Sequence, residues 1–88
     1  MYRLQIQDRA IHDLEGFDKT IARRINFRLN WLAENISSVK RESLAGEFSD
    51  YYKFRVGHYR ILYQVFDDKQ IIVIHRIGHR RDTYRGRK

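Results

Sequence analysis

Cysteine and proline are both absent from this sequence of 88 residues. Without cysteine there are no disulfides and no thiolate metal ligands, which fits a reducing compartment. No apolar run approaches the ~20 residues needed to span a bilayer, and the first residues lack the apolar segment of a signal peptide. We therefore expect a soluble, cytoplasmic protein with no membrane partner, folded as a single domain over residues 1–88.

Acidic residues are scarce in the C-terminal part of the chain. Residues 1–50 carry eight Lys or Arg and eight Asp or Glu, so this part is neutral. Residues 51–88 carry ten Lys or Arg against three Asp, which accounts for the whole net charge of +7, and they hold seven of the twelve aromatic residues. Cations mixed with aromatics favour a polyanionic partner. Nucleic acid is the first candidate, an acidic protein the second, and a membrane surface the third, because no basic amphipathic helix is evident there.

Hydrophobic periodicity predicts an α+β fold. Apolar residues alternate in Tyr2–Gln7, follow helical spacing in two segments N-capped by Asp8 and Asp18, and alternate again after residue 50. Gly16 would end the first helix in the left-handed conformation. The continuous apolar run Ile71–Ile74 indicates a central strand. The predicted order is β-α-α-β-β-β, a mostly antiparallel sheet with an N-terminal helical hairpin packed on one face, with strands at 2–7, 51–56, 59–66 and 70–77 and helices at 9–16 and 19–36.

The stretch from residue 52 to 66 has the pattern of a β-hairpin around Gly57-His58, which fits a two-residue type II′ turn. Residues whose numbers sum to 115 then lie opposite each other. On one face Arg55 is opposite Arg60, and Lys53 is opposite Leu62. The other face is apolar and should close the core with the pairs Val56–Tyr59, Phe54–Ile61 and Tyr52–Tyr63.

The cluster of Lys53, Arg55 and Arg60 has two interpretations. Like charges directly opposite in a strand pair repel, whereas an opposite-charge pair would contribute roughly 0.2–1 kcal/mol. On a solvated sheet face, long side chains and salt screening make such repulsion tolerable. No acidic residue lies within 51–66, however, and a dense patch of cations on a rigid strand pair suits the binding of a phosphate. The charge pattern alone leaves both interpretations open.

The second basic segment is "HRIGHRRDTYR", residues 75–85. Strand alternation would place Arg76 and Arg80 on one side of the sheet and His75 and His79 on the other. His79 is a candidate for proton transfer because histidine titrates near neutral pH, although a single histidine is more often structural. Tyr84 suits either packing or stacking on a base. The few nearby acids, with no phosphate-binding glycine loop, lead us to expect no metal and no cofactor.

These residues resemble a known family. "YKFRVGHYRILYQV" followed by "IVIHRIGHRRDTYR" is similar to the C-terminal signature of the RelE-like toxins of toxin–antitoxin systems, and "SLAG" at 43–46 resembles the element that precedes it. The resemblance implies a microbial-ribonuclease-like fold and metal-independent cleavage of messenger RNA, typically in the ribosomal A site. In that reaction the ribose 2′-OH attacks the adjacent phosphorus, which leaves a 2′,3′-cyclic phosphate and inhibits translation.

The resemblance also implies residue roles. Lys53 and Arg55 match the basic pair of one strand, and Arg60 matches the arginine of the next strand that contacts the phosphate. Arg80 matches the arginine after the last strand, and Tyr84 matches a tyrosine that stacks on or orients a nucleotide. The best-known pattern has lysine where Arg55 stands, so Lys53 is the better base of the two, because arginine does not lose its proton. The tail from Arg80 to Tyr84 is shorter than in that pattern, and some relatives use a histidine near His79 as acid or base. RNA contacts are expected from the remaining arginines of this part: Arg76, Arg81, Arg85 and Arg87.

Two other functions are compatible with the same fold. One is a toxin resembling the ParE branch, which acts on DNA gyrase without nuclease activity and generally lacks the full basic set. The other is an inactive toxin retained as a DNA-binding co-repressor with its antitoxin. In each case the expected partner is an acidic antitoxin that covers the basic face, with operator DNA bound through the antitoxin.

Overall fold

The computed structural model describes residues 2–79 and shows two helices and five strands in this part of the chain. The predicted order is confirmed, with one strand added between the helices and the hairpin. No helix within the described residues is both long and apolar enough to cross a membrane. The elements are β1 (Arg3–Ile6), α1 (Asp8–Glu15), α2 (Lys19–Asn35), β2 (Glu42–Ser43), a 3-10 turn (Gly46–Phe48), β3 (Tyr52–Val56), β4 (Tyr59–Phe66) and β5 (Ile71–His79).

The strands form one sheet in the order β1-β5-β4-β3-β2. β1 runs parallel to β5, and the other neighbours are antiparallel, as a mostly antiparallel sheet requires. β5 lies between β1 and β4, which confirms the central position predicted from its apolar run. The sheet therefore has β1 and β2 at its edges and places the basic hairpin, β3 and β4, between β5 and β2.

The core lies between the helices and one face of the sheet. Ala10 from α1 and four residues of α2 are buried against the sheet. The predicted apolar face of the hairpin is confirmed, with its side chains either buried or packed against this core. The buried core residues are Ala10, Ile25, Leu29, Leu32, Ala33, Ile36, Val56, Ile61, Tyr63, Ile72, Ile74 and Ile77.

The helix ends differ in detail from the prediction. The N-cap of α1 is Gln7 and not Asp8 as predicted, because Asp8 is the first residue of the helix. The carboxylate of Asp8 therefore lies in the first turn, where its negative charge interacts favourably with the helix dipole. Gly16 has a φ of −81°, so the left-handed C-cap predicted for it is wrong. Its backbone N–H donates to the carbonyls of His12 and Asp13, which ends α1 within ordinary right-handed geometry. Asp18 is the N-cap residue of α2, as predicted.

The turn and register of the β3–β4 hairpin are confirmed. Gly57 has a φ of +60° and His58 has no positive φ, as a type II′ turn requires. All the predicted cross-strand pairs are present, including Arg55 opposite Arg60 and Lys53 opposite Leu62. Local turn chemistry and period-two alternation were enough to determine this register.

A β-bulge interrupts the pairing of β4 with β5. Leu62 lies opposite Arg76, but the next residue, Tyr63, lies opposite Ile74, so His75 is an extra residue on β5. An extra residue reverses the alternation of the side chains that follow it. The prediction that His75 and His79 share one side of the sheet is therefore wrong, since His75 is the extra residue and His79 follows it, opposite Tyr59.

Candidate nucleic-acid interface

The candidate site is the sheet face turned away from the helices, which we call the outer face. Residues that lie opposite each other on neighbouring strands form rows across this face. Successive rows are about 7 Å apart, because they are separated by two residues at ~3.4 Å per residue. The row nearest the hairpin turn contains Arg55 and Arg60, and the next contains Lys53 and Leu62. The third row contains Gln64, beyond Leu62 on β4.

The predicted cations Lys53, Arg55 and Arg60 are brought together on this face. Arg55 is exposed, and Lys53 and Arg60 are half-buried. Within residues 2–79 the ion pairs join Arg41 to Asp67 and Arg76 to Asp13, so neither Lys53 nor Arg55 is neutralised by a carboxylate at close range. The positive charges of Lys53 and Arg55 therefore lie close together on a strand pair whose register is determined by a tight turn.

The added strand β2 places one acid near this cluster. Glu42 is the residue opposite Lys53 in the β2–β3 pair. Sequence reasoning considered the acids within 51–66 and missed Glu42, because a strand of two exposed residues has no hydrophobic period. The "SLAG" segment, which continues into the 3-10 turn, was the only sequence signal for this part. Glu42 bounds the basic cluster on the β2 side.

His75 lies on the outer face and was not predicted there. Its Nε2 lies 2.8 Å from Oε1 of Gln64. Its ring is 4.9 Å from the ring of Tyr51, the residue before β3, and Phe48 of the 3-10 turn contacts Tyr51 in turn at 6.2 Å. Burial lowers the pKa of His75, so the neutral imidazole is favoured. The outer face therefore carries, besides the cations, a histidine whose ring contacts Gln64 and Tyr51 and whose neutral form is favoured.

His79 lies away from the cations of the outer face. It is the residue opposite Tyr59, whose alternation with the buried Ile61 places both on the helix side of the sheet. The rings of His79 and Tyr59 are 5.8 Å apart, and Phe17 contacts Tyr59 at 5.1 Å. His79 therefore joins an aromatic group between the end of β5 and the loop that joins the two helices.

Arg76 is held in an ion pair with α1. Its Nε and Nη2 donate to the two carboxylate oxygens of Asp13 at 2.9 and 3.2 Å, and this hydrogen bonding raises the pKa of Arg76. Asp13 also accepts from the backbone N–H of Ile77 at 2.9 Å. β1 ends at Ile6, so the carboxylate covers the edge of β5 just beyond the last strand pair. This geometry suits a structural role better than the RNA contact expected from sequence.

The other predicted site residues lie outside the described residues: Arg80, Arg81, Tyr84, Arg85 and Arg87. Among residues 2–79, no three histidine or acidic side chains are grouped so that they could hold a metal ion.

Comparison with protein families gives one match that covers most of the chain. The model described as the ParE toxin of type II toxin–antitoxin system, parDE, matches residues 4–84. Among curated proteins, the toxin RelG of Mycobacterium tuberculosis is 47% identical over 45 residues, which is 51% of this chain and 47% of that toxin. The match thus spans about half the length of this relative.

Solved toxin structures share the fold. The toxin–antitoxin complex RelBE2 from Mycobacterium tuberculosis aligns with a TM-score of 0.78 at 26% identity, over 89% of this chain and 96% of that chain. The isolated RelE toxin of E. coli aligns with a TM-score of 0.73 at 25% identity, over 90% of this chain and 84% of that chain. The arrangement of two helices on a mixed sheet is therefore the one found in these toxins.

Proposed function

This chain belongs to the ParE toxin family of type II toxin–antitoxin systems, within the RelE/ParE superfamily, and we propose that it is a metal-independent endoribonuclease that cleaves messenger RNA. The 2′-OH next to the scissile bond attacks phosphorus, and the products are a 2′,3′-cyclic phosphate and a free 5′-OH. Cleavage in the ribosomal A site would inhibit translation in the cytoplasm.

The observation that carries the proposal is the row of Arg55 and Arg60 with Lys53 beside it. Like charges placed opposite each other destabilise a strand pair. A phosphate bound between them removes that repulsion, and its charge increases in the transition state, where fixed cations stabilise it most. The tight turn at Gly57 holds the two arginines in register before RNA binds, so little rearrangement is needed.

The proposed roles divide the reaction into binding and proton transfer. Arg55, Arg60 and Arg80 bind the phosphate, and Tyr84 positions the nucleotide. Lys53 or His79 handles a proton, and the geometry favours Lys53 because it shares the outer face with the two arginines. Arg81, Arg85 and Arg87 are proposed to contact the RNA backbone.

An alanine series assayed by primer extension on translating ribosomes tests this function. We expect Arg60→Ala and Arg80→Ala each to lower cleavage about 100-fold, because removal of one charge-stabilising donor typically has an effect of that size. Arg23→Ala, an exposed arginine on α2, is the matched control and should cleave normally. Unchanged cleavage by both site variants would refute the assignment.

A second candidate is a non-nuclease toxin that acts on DNA gyrase, because the matching family model is that of the ParE toxin. Induced expression separates the two functions. The nuclease should cut message without DNA damage, and a gyrase poison should cause DNA damage with intact message. A co-repressor without toxicity would do neither and would bind operator DNA only together with its antitoxin.

The proposed partner is an acidic antitoxin that covers the outer face. Complexes with an antitoxin are known for the solved relatives RelBE2 of Mycobacterium tuberculosis and RelBE of E. coli. Acidic side chains over Lys53, Arg55 and Arg60 would neutralise the cluster and accelerate association at low salt. The same cations make RNA binding steeply dependent on salt.

A further inference from the structure

The bulge in β5 decides which histidine reaches the outer face. Gln64 lies one row beyond Leu62 on β4, and the ring of His75 hydrogen-bonds to it. Tyr51, the residue before β3, contacts the same ring from the other side of β4. The imidazole therefore lies over β4, at the row next to the one that contains Lys53 and Leu62.

The ring of His75 is held in one orientation. Gln64 presents Oε1 to Nε2, so Nε2 donates and carries the proton of the neutral ring. Nδ1 is then the nitrogen with a lone pair, and no residue within 2–79 donates a hydrogen bond to it. Tyr51, supported by Phe48, limits rotation of the ring. A fixed acceptor nitrogen next to a cation cluster is the arrangement that a general base requires.

The geometry points to Nδ1 of His75 as the acceptor of the 2′-OH proton during RNA cleavage, an inference that rests on the proposed function. The bond from O2′ to phosphorus forms as this proton moves to Nδ1. The bond from phosphorus to O5′ breaks, and O5′ takes a proton from the ammonium group of Lys53. Arg55 and Arg60 hold the non-bridging oxygens throughout, and solvent later restores both side chains.

With His75 as the base and Lys53 as the acid, the reaction does not require a lysine to accept a proton. A lysine can accept a proton only after it has lost its own, whereas an ammonium is already a donor for a leaving oxygen. A neutral imidazole is already an acceptor, and burial favours this form of His75 by lowering its pKa. On this face His75 would then act as the base and Lys53 as the acid, so that each of the two proton transfers has its own residue.

Within residues 2–79, charged and titratable groups around His75 are few. Tyr51 contacts the ring from just before β3, Lys53 lies on β3, and Glu42 is opposite Lys53 on β2. Arg76 follows on β5 and is bound to Asp13. The neighbour that contacts the ring from β4 is the uncharged Gln64. The acidic limb of the pH profile should therefore belong to His75 itself.

The first test is His75→Gln, which keeps an N–H donor for Gln64 and loses the base. Single-turnover cleavage of ribosome-bound message should fall about 100-fold, within the usual range for a general base. Binding of a 2′-deoxy message that cannot be cleaved should stay within about twofold, because binding does not use the base. His12→Gln, on the exposed side of α1, is the matched histidine control and should cleave at the normal rate.

The second test changes the pKa of His75 without removing it. The rate for the unmodified protein should rise tenfold per pH unit and level off by about pH 7, because the ordinary histidine pKa of 6.5 is lowered here. Gln64→Glu places a carboxylate beside the imidazole and should move this limb upward by about 1–2 pH units. His79 lies on the other side of the sheet from Gln64, so a limb caused by His79 would not move.

The outcomes separate this inference from the function on which it rests. Absence of cleavage by the unmodified protein would refute the proposed function. Normal cleavage, loss in Arg60→Ala and full activity in His75→Gln would overturn only the role of His75. A limb that stays in place in Gln64→Glu would overturn it as well, even if His75→Gln failed to fold.

Discussion

Two groups of cations in this small protein have opposite surroundings. Arg41 and Arg76 each bind a carboxylate through two hydrogen bonds, to Asp67 and Asp13 respectively. On the outer face, Arg55 stands opposite another arginine and has no carboxylate partner within residues 2–79. Paired arginines join distant parts of the chain, whereas a clustered arginine adds repulsion and little packing. The cluster is therefore where a role in binding an anion explains more than a role in stability does.

The largest effect should come from replacement of the clustered arginine. We expect Arg55→Gln to lower message cleavage about 100-fold, which corresponds to about 2.7 kcal/mol of transition-state stabilisation. Primer extension under single-turnover conditions measures this loss. Arg55→Lys keeps the charge and should recover part of the rate, although not the bidentate contact. Equal loss in both variants would mean that charge is not what the site requires.

Replacement of the acid in the paired group should instead change stability. Asp13→Ala removes the partner of Arg76 and leaves the backbone N–H of Ile77 without its acceptor. We expect a loss of about 1–3 kcal/mol in the free energy of unfolding, measured in urea, towards the lower end because Arg76 remains partly exposed. Asp13→Asn keeps an acceptor and should lose less, and Glu15→Ala on the same helix should change little. Identical stability of Asp13→Ala and Asp13→Asn would argue against the contact with Ile77.

The other paired arginine should produce an acid-dependent stability. Hydrogen bonds from Arg41 and from the hydroxyl of Tyr2 lower the pKa of Asp67 to about 2, from an ordinary value of 3.8. The charged form is stabilised in the folded state, so the contribution is complete above about pH 4 and is lost as the pH falls towards 2. Asp67→Asn should thus be less stable than the unmodified protein at pH 7 and equally stable near pH 2. Thermal unfolding at both pH values measures the difference, and a gap that persists at low pH would exclude this mechanism.

The smallest effect should be a gain in stability at the cluster. Arg55→Gln removes a like-charge pair and should stabilise the free protein by a few tenths of a kcal/mol at low salt. Added salt screens this repulsion, so the advantage of the variant should disappear at about 0.5 M salt. Urea unfolding at two salt concentrations provides the measurement. A variant that is less stable than the unmodified protein at low salt would show that Arg55 contributes to the fold.

Local sequence information predicted the hairpin and the order of the elements correctly. Alternation and the Gly57 turn act over a few residues, so the pairing of Arg55 with Arg60 follows from the sequence alone. Two features escaped this reasoning. β2 is too short to show a period, and β5 is apolar on both faces near Ile72–Ile74, so its side chains give no alternation in which an extra residue would stand out.

The sequence by itself determined the strand register of β3 and β4 and the basic cluster on their outer face, because a turn and a period of two are local properties. Tertiary structure decided which histidine joins that cluster and which arginines are neutralised. Asp13 reaches Arg76 across 63 positions of the chain, and the bulge at His75 exists only in the pairing of β5 with β4. Contacts of that kind depend on how whole elements pack, so they cannot be predicted from a local pattern in the sequence.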